Sequence, residues 1–214
     1  KNELGTFHMP AGVVVATDLL PSQPADVMCD GYAELLKTTM LLSDDLYRKA
    51  LNMEEVMADA ATLGSLAETC ARFKEDITLK DPEEKGLRRI LNLGHTFGHA
   101  FESLLMERHR PVGHGTAVAH GLLCSLIMSH LALGLDSSEI SAYRMLLLEN
   151  YRRLGLGCPD RDEIIRMIFH DKKCGADGRP RFVLLEKIGK PIEEYAATDE
   201  EIRTTLELYN SMTE

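Results

Sequence analysis

The residues best equipped for chemistry lie in the stretch 84–105, EKGLRRILNLGHTFGHAFESLL. Glu84, Arg88, Asn92, His95, His99 and Glu102 follow one another at spacings of 4, 4, 3, 4 and 3. On one continuous helix those spacings put all six on a single face. Solvated faces are ordinarily rich in Lys and Glu, whereas this one concentrates His, Asn and Arg. His95 and His99 are an i, i+4 pair able to share a site, although HxxxH alone is a weak signal. Gly94 and Gly98 beside them each cost ~1 kcal/mol relative to Ala inside a helix. Their presence is explained if a ligand or another backbone must approach closely. A third histidine, His114, sits between Gly113 and Gly115 at the start of GHGTAVAHGLLCSLIMSHLALG. Two His and one carboxylate with a coordination position left open make a catalytic zinc arrangement. The carboxylate must come from elsewhere. GYAELLKTT offers Glu34, with Lys37 three residues on, but by spacing alone these two read as an ordinary surface pair.

These residues need elements to bring them together. A helix hairpin over 86–134 would return His114 to His95, with His120 and His130 in the core of its second, apolar arm. GVVVAT at 11–16 suggests a buried strand or an extended entry segment. After Pro21 and Pro24 the pattern turns helical. Asn52 with Glu55, Asp136 with Glu139, Asp160 with Glu163 and Thr198 with Glu201 have the spacing of capping boxes. FVLLEKIGKPIEEY reads as a short hairpin, Phe182 to Glu186 and Ile192 to Tyr195, around a Gly-Lys-Pro turn. The fold class expected is mainly α: a multi-helix domain with a short β-hairpin near the C-terminus.

Composition narrows the function classes. The 214 residues suffice for one sizeable core. The formal net charge is −10, from 34 acidic against 24 basic residues, and no basic patch or tail is visible. A nucleic-acid partner is therefore not expected. No run of 18 apolar residues and no signal-type apolar segment occurs, so no membrane association is expected. The five cysteines are odd in number, widely spaced and without CxxC, which fits reduced, scattered thiols in the cytoplasm. No strand–GxGxxG–helix unit is present, so a dinucleotide phosphate loop is not expected within these residues. The chain starts KNELGTFHMP, without Met and inside what looks like a motif, which suggests a fragment.

Several of these stretches together resemble the 3-dehydroquinate synthases. The most specific is GLRRILNLGHTFGHAFE, reinforced by GHGTAVAHG, GYAELLK, the opening KNELGTFHMP, and DKK followed by RFVLLEKIG. Their order and spacing fit along nearly the whole chain. The resemblance implies that residues 1–214 form the helical metal- and substrate-binding half of a two-domain enzyme. Residues 1–20 would then be an entry loop or strand from an N-terminal NAD-binding domain that is not included. It implies Glu34, His95 and His114 as ligands of Zn2+ or Co2+. His99 would assist proton transfer, in a catalytic group with Lys37, Arg88 and Asn92. Lys1, Asn2, Lys74, Glu84 and Lys172 (or its neighbour Lys173) would contact substrate, with Lys74, Arg88 and Lys172 forming an anion site. The family often has Glu where Thr116 stands here, an apolar residue in place of His120, and AEVIKYG where AELLKTT stands.

The activity implied is conversion of 3-deoxy-D-arabino-heptulosonate 7-phosphate, a phosphorylated sugar acid, to 3-dehydroquinate and phosphate. NAD would carry the redox steps, in a cytoplasmic homodimer. Three alternatives stay open: a sibling sugar-phosphate cyclase, a metal-dependent alcohol dehydrogenase of the glycerol dehydrogenase type, and a non-catalytic metal-binding module. The chain alone is expected to fold and to be inactive.

Overall fold

A computed structural model describes residues 10–170 and 177–213. Nine α-helices and one two-stranded antiparallel sheet are formed among them. The helices are α1 (Ala25–Leu42), α2 (Asp44–Leu51), α3 (Met53–Ala58), α4 (Ala60–Lys80), α5 (His95–Glu107), α6 (His114–Leu133), α7 (Ser137–Asn150), α8 (Arg161–His170) and α9 (Asp199–Thr213). The strands are β1 (Arg181–Lys187) and β2 (Lys190–Ala196). The mainly α class with a late hairpin is as expected.

At the centre α6 is buried from Ala117 to Ser129. By length and composition this helix could cross a membrane, but 72% of its most apolar window is buried inside the structure. A helix apolar all round needs neighbours on every side. Here α1, α5, α7, α9 and β1 surround it. Its closest partner is α5, and glycines set how close. A Cβ on Gly121 would lie 2.1 Å from the Gly94 carbonyl oxygen and 2.7 Å from the Gly98 nitrogen. On Gly98 it would meet the Val118 backbone at 3.1 Å. Of the two explanations open in the sequence, approach by another backbone accounts for Gly94 and Gly98.

The stretch 84–105 is not one helix. Leu87–Asn92 is a 3-10 turn, Gly94 takes a left-handed conformation (φ 77°), and α5 starts at His95. Glu84 also has positive φ, 56°. Glu84, Arg88 and Asn92 therefore share no helical face with His95, His99 and Glu102. The cause is local: Gly94 tolerates the left-handed region without penalty, and the absence of a Cβ is needed where Leu122 crosses, 2.8 Å from a would-be Cβ.

Other expectations are also corrected. Residues 11–16 form no strand and are not buried: Val13, Val14 and Val15 are 73%, 95% and 52% exposed. Only Thr198 with Glu201 closes a reciprocal capping box. Asp136 caps Ser138, but its partner Glu139 pairs with Arg48 from α2. Asn52 makes no side-chain cap at all. Asp160 accepts from the Gly157 amide and bridges to Arg108 at 2.6 Å. His120 is in the core as expected, held between the Arg152 carbonyl (3.1 Å) and the Tyr209 hydroxyl (2.7 Å). His130 is not; it is exposed at the end of α6, 2.6 Å from the Leu135 carbonyl.

The hairpin contains the expected strands, but the chain turns at Ile188 and Gly189, and Lys190 and Pro191 of the expected turn are the first residues of β2. Its first strand buries four residues in succession, Phe182 to Leu185, instead of alternating. Both pleat faces of β1 are therefore covered over this stretch, and its pairing with β2 shifts register at Phe182/Leu184 and Leu185/Lys187. Ser129 of α6 accepts from the Leu185 amide, and the Gly189 turn amide donates to the Met40 carbonyl. The hairpin thus clamps the ends of α1 and α6.

Candidate metal centre

Glu34 lies in the middle of α1, while His95 and His114 are the first residues of α5 and α6. The α5–α6 hairpin returns His114 to His95 with ring centroids 5.4 Å apart. α1 packs across α6 and brings Glu34 Oε1 to 3.2 Å from His95 Nε2 and 3.9 Å from His114 Nε2. His99, one turn along α5, places its ring 5.3 Å from that of His95 and 5.8 Å from that of His114.

The partners of the other ring nitrogens decide what faces the carboxylate. His95 Nδ1 is 3.1 Å from the Leu93 carbonyl, freed by the break at Gly94. A carbonyl only accepts, so Nδ1 carries the hydrogen and Nε2 of the neutral ring is bare. Burial pushes the His95 pKa down to about 4, against smaller upward contributions from Glu34 and the Leu93 carbonyl, so the ring is neutral at pH 7. His114 Nδ1 is 3.2 Å from Glu102 Oε2, so in the neutral ring Nδ1 donates to the carboxylate and Nε2 is bare. Burial alone would raise the Glu34 carboxyl. The ammonium groups of Lys37 and Lys74 act against burial and hold the group well below the usual carboxylate range.

Glu34 Oε2 receives those ammonium groups, Lys37 at 2.8 Å and Lys74 from α4 at 3.1 Å. Oε1 is buried and makes no hydrogen bond. Two bare imidazole lone pairs and an ionised oxygen therefore converge with no proton between them. That donor set repels itself unless a cation lies at its centre, and two imidazoles with one carboxylate are donors suited to zinc or cobalt.

Two further residues build this geometry and escaped the sequence reading. Glu102 lies on the His95–His99 face and fixes the tautomer of His114; its position was visible, its task was not. Asp30 of α1 accepts from both the Thr116 amide (2.8 Å) and hydroxyl (2.9 Å) at the start of α6. Its backbone and carboxylate fill the space beside Gly113 and Gly115, where a Cβ would lie 1.9 and 2.1 Å from Asp30 atoms. Those glycines leave room for α1, and so lock the helix bearing Glu34 to the start of the helix bearing His114. They were the only sequence signal for Asp30.

The remaining expected residues are arranged separately. Asn92 donates to Glu84 at 2.8 Å, and the Arg88 guanidinium donates to the Pro82 carbonyl at 2.9 Å. Asp81 organises this loop by accepting from the amides of Lys85, Gly86 and Arg88, each at 2.9 Å. Lys74 thus pairs with Glu34 while Arg88 has its own partner. Lys1, Asn2, Lys172 and Lys173 lie outside the described residues. Glu34 and Lys74 also border a cavity of about 260 Å³ between α1, α4 and the turn Thr17–Ser22, with apolar walls that include Leu20, Val27 and Leu63.

Residues 31–174 match the family model described as 3-dehydroquinate synthase C-terminal. The chain belongs to this family. Among curated relatives, the 3-dehydroquinate synthase of Parabacteroides distasonis is 35% identical over 98% of this chain and 59% of its own length. That of Thermococcus kodakarensis is 36% identical over 91% of this chain and 52% of its own. The chain thus spans little more than half the length of these synthases. Two solved structures share its fold. One is a 2-epi-5-epi-valiolone synthase from Streptomyces hygroscopicus subsp. jinggangensis with NAD+ and Zn2+ bound (TM-score 0.77, 23% identity, 99% of this chain and 59% of that one). The other is a 2-deoxy-scyllo-inosose synthase complexed with carbaglucose-6-phosphate, NAD+ and Co2+ (TM-score 0.71, 21% identity, 90% and 55%).

Proposed function

We propose that this chain is the metal- and substrate-binding half of a 3-dehydroquinate synthase, acting on 3-deoxy-D-arabino-heptulosonate 7-phosphate. The observation that carries the proposal is the convergence of bare Nε2 atoms of His95 and His114 on the orphaned Oε1 of Glu34. These three would hold Zn2+ or Co2+. When bound, the metal would supply Lewis acidity and orientation, and NAD a hydride acceptor. We assign NAD binding chiefly to the further length that the relatives possess, since residues 1–214 contain no Gly-rich phosphate loop.

The chain's own residues then have distinct tasks. Lys37 and Lys74 keep Glu34 ionised and leave positive charge beside the site for an anionic substrate. His99 holds or accepts a hydroxyl proton from substrate. Arg88 offers a planar fork for a carboxylate or phosphate, and Asn92 with Glu84 offers hydrogen bonds to hydroxyls. Lys1, Asn2 and Lys172 complete the substrate contacts, and Lys172 with Lys74 and Arg88 forms the anion site. The enzyme would work in the cytoplasm as a homodimer.

A sibling cyclase with another sugar phosphate is the second reading, favoured by the fold shared with the valiolone and inosose synthases. Two of the three departures from the family pattern, Thr116 and His120, do not add to it. Thr116 is engaged with Asp30, and His120 with Tyr209; both tasks are structural. The test is phosphate release from the heptulosonate phosphate by the enzyme extended to the length of its relatives, with NAD and zinc. The extended enzyme should turn over and the 214-residue chain should not. Turnover with a different sugar phosphate only would select the sibling. Comparable turnover by the 214-residue chain would overturn the two-domain assignment.

A further inference from the structure

Glu84 is a strained point in the loop that also carries Arg88 and Asn92. Its φ of 56° is one that a residue with a Cβ holds where its surroundings over-determine it. Three contacts do so here. The Glu84 amide donates to the Asp81 carbonyl at 3.3 Å, and its carboxylate accepts from Asn92 at 2.8 Å. Its carbonyl accepts from Arg89 Nε at 3.4 Å. The first two contacts are internal to the loop. The third leads out of it, because the Arg89 guanidinium also pairs with Glu194 of β2, 105 residues away in sequence. The Glu194 carboxylate is shared: one oxygen takes Arg89 and the other lies 2.6 Å from Arg181 Nε at the start of β1. Arg181 is held in turn. Its guanidinium reaches Asp177 at 2.9 Å, and its carbonyl accepts from Thr96 Oγ1 at 3.1 Å. Thr96 follows His95 in the first turn of α5.

A path of side-chain contacts therefore runs from α5 through Arg181 and Glu194 to Arg89, and from there to Glu84 and Asn92. Stability does not account for it. The Arg89 and Glu194 side chains are 44% and 35% exposed, and a pair so exposed is screened and adds little. Geometry accounts for it: the guanidinium that Glu194 anchors is the one that fixes the strained carbonyl. We infer that Glu194 is a positioning residue, which acts through Arg89 to fix the backbone at Glu84 and so aims Glu84 and Asn92 at the substrate's hydroxyls. The inference rests on the reading of this loop as a substrate-binding element. Asp81 shapes the loop from within, and Glu194 sets it relative to the hairpin and α5. Without the Glu194 charge, Arg89 loses its anchor on the hairpin and Glu84 relaxes toward negative φ. Its carboxylate then swings away from Asn92, and both groups meet substrate from a wider range of orientations. That weakens ground and transition states alike, which raises KM and spares kcat.

The test joins two measurements on Glu194→Gln, which keeps the side-chain shape and removes the charge. In the 214-residue chain, amide exchange should accelerate across residues 84–89, while exchange in α5 and α6, Tm and zinc affinity stay at parent values. In the enzyme extended to the length of its relatives, KM should rise with kcat little changed. The substrate there is whichever sugar phosphate the unsubstituted enzyme turns over. One charge-assisted contact is worth roughly tenfold, so about that factor is expected in exchange rate and in KM. Arg89→Ala should match these losses, and combining it with Glu194→Gln should add nothing, because one residue acts through the other. Unchanged exchange at Glu84 overturns the inference. Faster exchange with an unchanged KM overturns it too, since Glu194 would then serve the fold alone. Additive losses in the double variant would show that Glu194 does not act through Arg89. Absence of turnover in the unsubstituted extended enzyme with any sugar phosphate is a different failure: it sinks the substrate-binding reading on which the inference stands.

Discussion

Glu34, His95 and His114 project from three regular helices, whereas Glu84, Arg88 and Asn92 sit on a 3-10 turn and the loop before it. Of the first three only His95 adjoins the second region in sequence, and it was expected to share a single stripe with Glu84, Arg88 and Asn92. The two regions are built by different means. Around the metal centre each functional atom is held twice, by its helix and by a second residue: His95 by Leu93, His114 by Glu102, Glu34 by Lys37 and Lys74. The helices beneath are pressed together at glycine contacts that admit no other residue. The loop depends on one carboxylate, that of Asp81, collecting three backbone amides. A metal ligand must be correct to a few tenths of an ångström before the ion arrives. A residue that grips substrate can afford to close on it.

The largest effect expected from this contrast is at His95. His95→Ala should reduce metal from one ion per chain to none retained after dialysis, with the helical spectrum preserved; elemental analysis decides it. Unchanged metal content would remove His95 from the set.

Gly121→Ala attacks the scaffold under the centre. Its Cβ would lie 2.1 Å from the Gly94 carbonyl oxygen, so α5 and α6 must separate. Overpacking of this kind costs about 1–3 kcal/mol and occasionally more, and contact with backbone puts it at the upper end. For a chain of this size that is a fall in Tm of roughly 6–12 °C. Calorimetry showing no fall would mean that the helices are not locked at this point.

Glu102→Ala is smaller and more local. Removing an outer partner of a ligating histidine typically weakens metal binding by about 10–100-fold. Chelator competition should find that loss with Tm of the metal-free chain nearly unchanged. An unaltered affinity would show that Glu102 does not orient His114.

Asp81→Ala should have the smallest effect on the metal and the clearest effect on the loop. Three amides lose their acceptor near solvent, so the cost to stability is about 1 kcal/mol or less per bond. Amide exchange across residues 82–92 should accelerate while zinc affinity stays within about twofold of the parent. A large drop in zinc affinity would show that loop and metal centre are one unit, and the comparison would fail.

How much of this was legible in the sequence depends on the range over which each feature is encoded. The helical class, the hairpin at 181–196 and the reciprocal cap of Thr198 with Glu201 follow from neighbours a few residues apart, and local rules recovered them. The candidate ligands His95 and His114 also stood out, His95 by its i, i+4 pairing with His99 beside Gly94 and Gly98, and His114 by standing between two glycines at a helix start. Glu34 did not; spacing alone made it a surface residue paired with Lys37. Periodicity misled where a single backbone angle outweighed it: the left-handed Gly94 breaks the expected stripe, and no side-chain pattern encodes that. Capping motifs misled where a distant partner won, as Arg48 does for Glu139.

Residue types and their order therefore determined that this chain is helical, that His95 and His114 are candidate ligands, and that some close neighbour presses on its glycines. Only the tertiary structure decided which neighbour. It placed α1 against the start of α6 through Asp30, turned Leu93 and Glu102 onto the Nδ1 atoms, and so left the Nε2 lone pairs facing Glu34. The reason is physical: the His95 tautomer is set two residues away by the Leu93 carbonyl, but the aim of Glu34 and His114 depends on contacts such as His114–Glu102, Glu34–Lys74 and Thr116–Asp30, 12, 40 and 86 residues apart, and these exist only once the helices have packed.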